Sequence, residues 1–186
     1  DPDVVYNLSA DVTVPDGITL TVGPGQVIKA NSCVDLFING GLDVNGEIGG
    51  PVYFVSSTDD SLLGDTNNDG NATSPGVSDW PGIVLSSTST GNLLDNVEVR
   101  YAVQGVATNS AGVTISASRF SDNTYGIRVN DMSPSITGLL AERNQYGVYV
   151  SAASPTITGG RLEENSSYGI YVAGDSNPII TGNTIT

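Results

Sequence analysis

Tyr125-Gly126-Ile127-Arg128-Val129 is the stretch that decides the fold, because it returns twice further along the chain. It recurs as Tyr146-Gly147-Val148-Tyr149-Val150 and as Tyr168-Gly169-Ile170-Tyr171-Val172, at steps of 21 and 22 residues. A weaker copy begins earlier, at Gln104. A fixed period of this size is the signature of a solenoid in which each repeat forms one turn.

Other positions keep the same period. They are the isoleucines Ile115, Ile136, Ile157 and Ile180 and the asparagines Asn123, Asn144 and Asn165. The first half of the chain follows the period less clearly, as in Leu20 and Leu42. Between these positions apolar and polar residues alternate, which predicts short strands with one buried face, and Gly, Pro or Asn interrupts any helical spacing.

These patterns predict an all-β fold, a right-handed parallel β-helix of about seven coils that forms a single domain over residues 1–186. Inward Ile, Val and Leu stack along the axis, and the asparagine register forms a hydrogen-bonded ladder. We expect Gly126, Gly147 and Gly169 to make tight corners. The competing fold, a β-sandwich, would not keep a constant register.

The composition excludes several functional classes. The chain of 186 residues has six Lys and Arg against 20 Asp and Glu, a net charge of −14, and no His. Catalytic sites in which His activates a nucleophile and zinc sites with His ligands are therefore excluded. The excess of acidic residues argues against binding nucleic acid. Cys33 is alone, and no stretch approaches the about 20 apolar residues of a membrane span. The acidic, Lys-poor and Thr-, Ser- and Asn-rich composition predicts an extracellular or cell-surface protein.

One segment, residues 56–80, breaks the period with a long acidic loop that the repeat count places after the third coil. Its stretch Asp65-Thr66-Asn67-Asn68-Asp69-Gly70-Asn71 matches the first half of an EF-hand-type calcium loop, but Gly76 stands where that loop has a bidentate Glu. We therefore expect a structural Ca²⁺ whose shell is completed by other carboxylates of the same loop. The predicted ligands are Asp65, Asn67, Asp69, Asn71, Asp79, Asp59 and Asp60. The alternative is a solvated polar turn without an ion.

The chain resembles the β-helix module of large bacterial surface proteins. The resemblance lies in Ile18-Thr19-Leu20-Thr21-Val22-Gly23-Pro24-Gly25, in residues 64–70 and in Asp79-Trp80-Pro81-Gly82-Ile83. The repeat Ser154-Pro155-Thr156-Ile157-Thr158-Gly159 is similar to repeats of the pectate-lyase-like and nitrous-oxide-accessory β-helix families. The resemblance covers nearly the whole chain and implies the fold, whereas these families span lyases, hydrolases, adhesins and structural modules.

No arrangement of residues predicts catalysis. Lyases of this fold combine a calcium-bearing Asp cluster with a Lys or Arg base, but Lys29 and Arg100 look like isolated cations. Glu142 and Glu163, 21 residues apart, look like solvated surface charge. A column of Arg128, Tyr149 and Tyr171 on successive coils either stabilises the sheet or forms a ligand-binding surface for glycans.

The sequence therefore predicts a non-catalytic extracellular structural or adhesive module stabilised by calcium. The alternatives are a carbohydrate-binding module and a polysaccharide lyase acting on acidic glycans. The chain stops midway through a coil, which indicates a fragment of a longer surface protein, an end protected by its own polar residues, or subunits that stack end to end into a fibre. We expect the partners to be other copies of the chain or adjoining domains.

Overall fold

The computed structural model describes residues 1–110 and 112–186, and these residues form a parallel β-solenoid. The first strands are β1 (Val5–Leu8), β2 (Val12–Val14), β3 (Thr19–Val22), β4 (Val27–Ala30), β5 (Asp35–Ile38), β6 (Gly41–Asn45) and β7 (Val52–Ser56). The middle strands are β8 (Trp80–Leu85), β9 (Asn92–Asp95), β10 (Val97–Arg100), β11 (Ala102–Thr108), β12 (Val113–Ser116), β13 (Arg119–Ser121) and β14 (Tyr125–Asn130). The last strands are β15 (Ser135–Thr137), β16 (Leu140–Glu142), β17 (Tyr146–Ser151), β18 (Thr156–Thr158), β19 (Arg161–Glu163), β20 (Tyr168–Ala173), β21 (Ile179–Thr181) and β22 (Thr184–Ile185).

Every third strand joins the same sheet, so that three parallel sheets form the walls of the solenoid. Sheet A has eight strands, from β1 to β22, and sheets B and C have seven each, beginning with β2 and β3. The structure therefore contains seven complete three-stranded turns and the first strand of an eighth, which confirms the predicted fold class and repeat. No helix, and so none that could cross a membrane, occurs in the part of the chain that the structure describes.

The core consists of columns of apolar side chains that run along the axis, because in-register parallel strands place equivalent residues above one another. In sheet C, Ile115 pairs with Ile136, Ile136 with Ile157, and Ile157 with Ile180, as the sequence predicted. The first three of these side chains have no exposed surface, whereas Ile180, in the last turn of this sheet, is 39% exposed. The apolar side chains of each column are thus buried by the turn that packs against them.

The predicted asparagine ladder is present just after sheet A. The Nδ2 of Asn123 donates to the Oδ1 of Asn144 at 3.0 Å, and the Nδ2 of Asn144 donates to the Oδ1 of Asn165 at 3.1 Å. The left-handed backbone conformation belongs to the residue before each asparagine, as at Asp122 with a φ of 59° and Arg143 with a φ of 54°. The asparagine side chains therefore hold the turns together while their neighbours make the bend.

The prediction that Gly126, Gly147 and Gly169 form corners is wrong. They lie inside strands β14, β17 and β20, and a Cβ added to Gly147 would lie 2.5 Å from the carbonyl oxygen of Gly169. Gly126 and Gly147 are required because the carbonyl oxygen of the next turn comes too close for a side chain, whereas at Gly169 the nearest atom is the Cγ2 of Ile185, at 2.6 Å.

Candidate metal-binding loop on sheet A

The long loop, residues 57–79, joins β7 to β8 and so lies within the third turn, not after it as the sequence suggested. Its base is closed by Asp79, whose Oδ2 accepts hydrogen bonds from Thr58 Oγ1 at 2.9 Å and from the backbone N–H of Gly76 at 3.0 Å. Trp80, which follows the loop, is buried and donates its indole N–H to the carbonyl of Arg100 at 2.8 Å. Both ends of the loop are therefore fixed to the wall of the solenoid.

Three carboxylates meet in this loop. One carboxylate oxygen from each of Asp60, Asp65 and Asp69 lies within 4.8 Å of the other two. Among the residues that the structure describes, no other set of three or more His, Cys, Asp or Glu side chains comes together in this way. One oxygen of Asp60, Oδ1, is buried from solvent and has no hydrogen-bond donor. Three acceptor-only groups placed together favour a bound cation, because carboxylates repel one another when none is present.

The turn that carries two of these acids bends where the calcium-loop motif has its glycine. The carboxylate of Asp65 accepts hydrogen bonds from the backbone N–H groups of Asp69 at 3.2 Å and of Gly70 at 2.8 Å. Gly70 has a φ of 74°, which allows the sharp bend at the sixth position of the motif. Asp65 and Asp69 are thereby held on the same side of the turn.

Hydrogen bonds hold the pKa of Asp69 below its usual value. Hydrogen bonds from the Thr73 hydroxyl and from the N–H groups of Ala72 and Thr73 lower its pKa and outweigh the opposing effect of desolvation. The Nδ2 of Asn67 also donates to Asp69 Oδ2, at 2.9 Å. Asn67 therefore contacts the carboxylate group through its amide nitrogen, and its role as a ligand stays a prediction.

The two other carboxylates among the predicted ligands, Asp59 and Asp79, lie outside the group of three. Asp59 is only 2% exposed, and its Oδ1 accepts hydrogen bonds from the N–H and the hydroxyl of Ser61. Asp59 Oδ2 faces Arg100, with 3.8 Å between the charged groups. Asn71 is exposed beside the turn, and Asp79 closes the loop base. Three acids of the loop were expected to replace the missing Glu. Asp60 lies in the carboxylate group, whereas Asp59 and Asp79 contact other residues.

The interpretation of Lys29 and Arg100 as isolated cations is wrong. Lys29 lies in β4 under the loop, is fully buried, and donates from Nζ to the carbonyl oxygens of Asp59 and Gly64, each at 2.7 Å. Burial lowers the pKa of Lys29, and the nearby carboxylates of Asp59, Asp60 and Asp65 oppose this shift. Arg100 pairs with Glu98 at 2.7 Å. A fully buried ammonium cannot reach a polymer chain, so Lys29 does not fit the role of a lyase base.

The outer surface of sheet A carries a chain of ion pairs instead of solvated charges. Glu142 is 8% exposed and accepts hydrogen bonds from Arg119 and, at 2.7 Å, from Arg143. Arg119 also bonds Glu98 at 2.6 Å, and Arg143 bonds Asp122 at 2.9 Å. The expectation of a solvated Glu142 is therefore wrong, since neighbouring turns use it to connect their strands.

The tyrosine surface of sheet B has the predicted register. Arg128 pairs with Tyr149, and Tyr149 with Tyr171, whose rings stack with centroids 5.2 Å apart. A parallel column, Tyr125 and Tyr146, stacks at 5.1 Å. The ring faces within each column are occupied by neighbouring rings, which favours a role in holding the turns together over stacking on sugars. Glycan binding at Arg128, Tyr149 and Tyr171 stays a prediction.

Comparison with known proteins identifies one family. A family model with the description "Periplasmic copper-binding protein (NosD)" matches residues 58–186, which is more than half of the chain and includes most of the long loop. No curated protein and no solved structure matches the chain.

Proposed function

The chain belongs to the NosD family, and from that premise we propose that it is an extracytoplasmic, non-catalytic structural module whose long loop is ordered by Ca²⁺. The observation that carries the proposal is the meeting of Asp60, Asp65 and Asp69 within 4.8 Å of one another in that loop. The family's description names a periplasmic protein, which supports a location outside the cytoplasm. An extracellular or cell-surface position and an adhesive role are finer parts of the same proposal.

The donor atoms of this chain do not fit the copper in the family's description. Copper in proteins is held by thiolate, thioether and imidazole groups, and the sequence has no His, one Cys and one Met. Cys33 is exposed between β4 and β5, whereas Met132 follows β14, three turns away on another corner. At about 4.8 Å per turn the two sulfur atoms are too far apart to share an ion.

Calcium fits the loop better, since it is a hard cation that prefers oxygen ligands and tolerates six to eight of them. Three carboxylates supply the charge, and water and loop carbonyls are the further ligands we expect. The buried Oδ1 of Asp60 without a donor supports this assignment, because an unpaired buried oxygen is costly unless a cation satisfies it.

Chelation tests the calcium proposal. The purified chain should melt at a higher temperature in Ca²⁺ than in EDTA, and Ca²⁺ should protect residues 57–79 from limited proteolysis. Mg²⁺ is the control, because it demands a tighter octahedral shell and should protect less. Equal melting temperatures and equal cleavage of the loop with and without Ca²⁺ would contradict the proposal.

We further propose end-to-end contact between copies of the chain, which the exposed apolar residues of the first and last turns support. Ile185 in β22 is 50% exposed, although its partner one turn earlier, Leu162, is fully buried. At the opposite end, Tyr6, Leu8 and Val12 line an apolar cavity of about 430 Å³. Strands of another copy, or of adjoining domains of a longer chain, would continue the sheets and cover both surfaces.

Electron microscopy and sedimentation test this contact. We expect rods that lengthen with protein concentration and that disappear when Ile185 is replaced by Lys, while Ile48→Lys, at an exposed side turn, leaves them intact. Dispersed single particles at every concentration would show that the ends do not associate with one another.

A further inference from the structure

The buried ammonium of Lys29 holds two peptide units of the long loop. Its Nζ lies 2.7 Å from the carbonyl oxygen of Asp59 and 2.7 Å from that of Gly64. Both acceptors are main-chain atoms, so the interaction fixes the course of the loop backbone and does not depend on the rotamers of the loop side chains. The intervening residues, 60–63, therefore form a closed segment around one point on sheet A.

The two peptide units that Lys29 holds are the ones from which two of the three carboxylates project. The Asp59 carbonyl belongs to the peptide that leads into Asp60, and the Gly64 carbonyl belongs to the peptide that leads into Asp65. Lys29 itself is anchored in β4, between β1 and β7 of sheet A, and has no exposed surface. A rigid strand thus sets the distance between Asp60 and Asp65.

We infer that Lys29 is the positioning residue of the cation site, holding Asp60 and Asp65 at the spacing that a shared ion requires. This inference rests on the proposed function, since it concerns the same calcium site. Lys29 does not ligate the ion, and it acts through the two peptide units. Ligands held at the right spacing bind more tightly because less conformational entropy is lost on binding.

Charge and position make opposite predictions for the loss of Lys29. A positive charge beside three carboxylates repels a bound cation, so its removal should strengthen calcium binding if charge alone mattered. If Lys29 positions Asp60 and Asp65, its removal should weaken binding even though the repulsion is gone. The sign of the change therefore separates the two explanations.

Calorimetric titration with Ca²⁺ of the wild type, Lys29→Met and Arg161→Met provides the test. Arg161→Met is the matched control, because it also removes one positive charge from sheet A but at an exposed side chain in β19 that pairs with Glu163. We expect at least a tenfold loss of affinity in Lys29→Met and less than a twofold change in Arg161→Met. Unchanged or higher affinity in folded Lys29→Met overturns the inference.

A second variant keeps the test decisive if Lys29→Met does not fold. One glycine inserted between Leu62 and Leu63 lengthens the segment between the two held peptides, at a point where Leu63 is already 49% exposed. Because Lys29 still holds both peptide units, the insertion should lower calcium affinity by less than fivefold. A larger loss would show that the covalent length of the segment sets the spacing, and would overturn the inference.

Bound Tb³⁺, which prefers oxygen ligands as Ca²⁺ does, adds a measurement that a change in stability alone does not alter. Its luminescence lifetimes in H₂O and D₂O report the number of water molecules on the ion. We expect at least one more water in Lys29→Met, since Asp60 or Asp65 leaves the shell, and an unchanged number contradicts the inference. Failure of the wild type to bind Ca²⁺ would instead refute the proposed function, so the two failures are distinguishable.

Discussion

Asn123 and Asn144 lie one turn apart, and the side-chain oxygen of Asn144 accepts two hydrogen bonds from Asn123, from its backbone N–H and from its Nδ2, each at 3.0 Å. The Nδ2 of Asn144 in turn donates to the Phe120 carbonyl at 2.9 Å. One buried amide thus satisfies polar groups of two turns where the chain leaves sheet A. Hydrogen bonds of this kind matter most when one partner is removed, because the other is left unpaired in the interior.

Asn144→Ala should therefore lower the free energy of unfolding by about 2 kcal/mol, since it leaves the backbone N–H of Asn123 without its partner. It also removes one of the two hydrogen bonds of Asn123 Nδ2, which keeps only the Val99 carbonyl. Urea denaturation in the presence of Ca²⁺ measures the change. Asn177→Ala, at an exposed position, is the control and should change the stability by less than about 0.5 kcal/mol. Equal effects of the two variants would show that the ladder does not stabilise the fold.

Gly147→Ala tests the close approach of backbones in sheet B. The added methyl group would lie 2.5 Å from the Gly169 carbonyl, and a carbonyl of a paired strand cannot move aside without loss of its own hydrogen bonds. We expect a loss of about 2 kcal/mol or more, the usual cost of overpacking. Gly23→Ala, whose new methyl meets nothing nearer than 3.7 Å, should be tolerated in the same denaturation experiment. A stable Gly147→Ala would contradict this account.

The repeats could be predicted from the sequence because in-register strands force equivalent residues to recur. Tyr149 and Tyr171 pair as their spacing of 22 residues required. The role of Gly147 could not be derived in this way, since glycine serves both corners and close approaches, and only the backbone distance distinguishes them.

Lys29 was missed for a different reason. Its contacts with Asp59 and Gly64 span 30 and 35 residues and depend on the loop folding back over sheet A, which no period reveals. The available signal was that Lys29 is the sole lysine of the chain and lies within an apolar strand. A charged residue in such a place is seldom fully buried without partners, and the nearby loop is the one segment long enough to provide them.

Asp69→Asn should separate cation binding from the stability of the apo protein. It removes one carboxylate, so calcium affinity should fall at least tenfold. The melting temperature in EDTA should fall only slightly, because weaker hydrogen bonds from Ala72 and Thr73 are offset in part by reduced repulsion between the remaining carboxylates. Titration calorimetry and thermal melting measure the two effects. Asp131→Asn, the same change at an exposed turn outside the loop, should alter neither. A fall in melting temperature in EDTA without loss of calcium affinity would assign Asp69 to structure alone.

The acid sensitivity of the fold should depend on Glu142. Burial raises its pKa, but hydrogen bonds and charge from Arg119 and Arg143 outweigh burial, and the pKa lies below its usual value of 4.5. Because the folded state favours the charged form, the stabilisation is complete above pH 4.5 and is lost as the pH falls through the lowered value. Glu142→Gln should cost about 1 to 2 kcal/mol at pH 7, and this difference should shrink below pH 4. Urea denaturation from pH 3 to pH 7 measures the difference in stability between the wild type and Glu142→Gln. The control is Glu164→Gln, at an exposed position. A difference that stays constant with pH would contradict the role given to the Glu142 charge.

Copper binding provides a last prediction, because the family's description and the donor atoms of this chain point in different directions. Without His, and with Cys33 and Met132 on different corners three turns apart, the chain offers Cu(I) a single exposed thiol. Competition with a chromophoric Cu(I) chelator should therefore show no stoichiometric high-affinity site, and any residual binding should disappear in Cys33→Ser. Calcium binding should be the same in Cys33→Ser and the wild type, since the carboxylate loop contains no sulfur. A tight one-to-one Cu(I) complex that survives in Cys33→Ser would show that the oxygen-rich loop, or another site, holds copper after all.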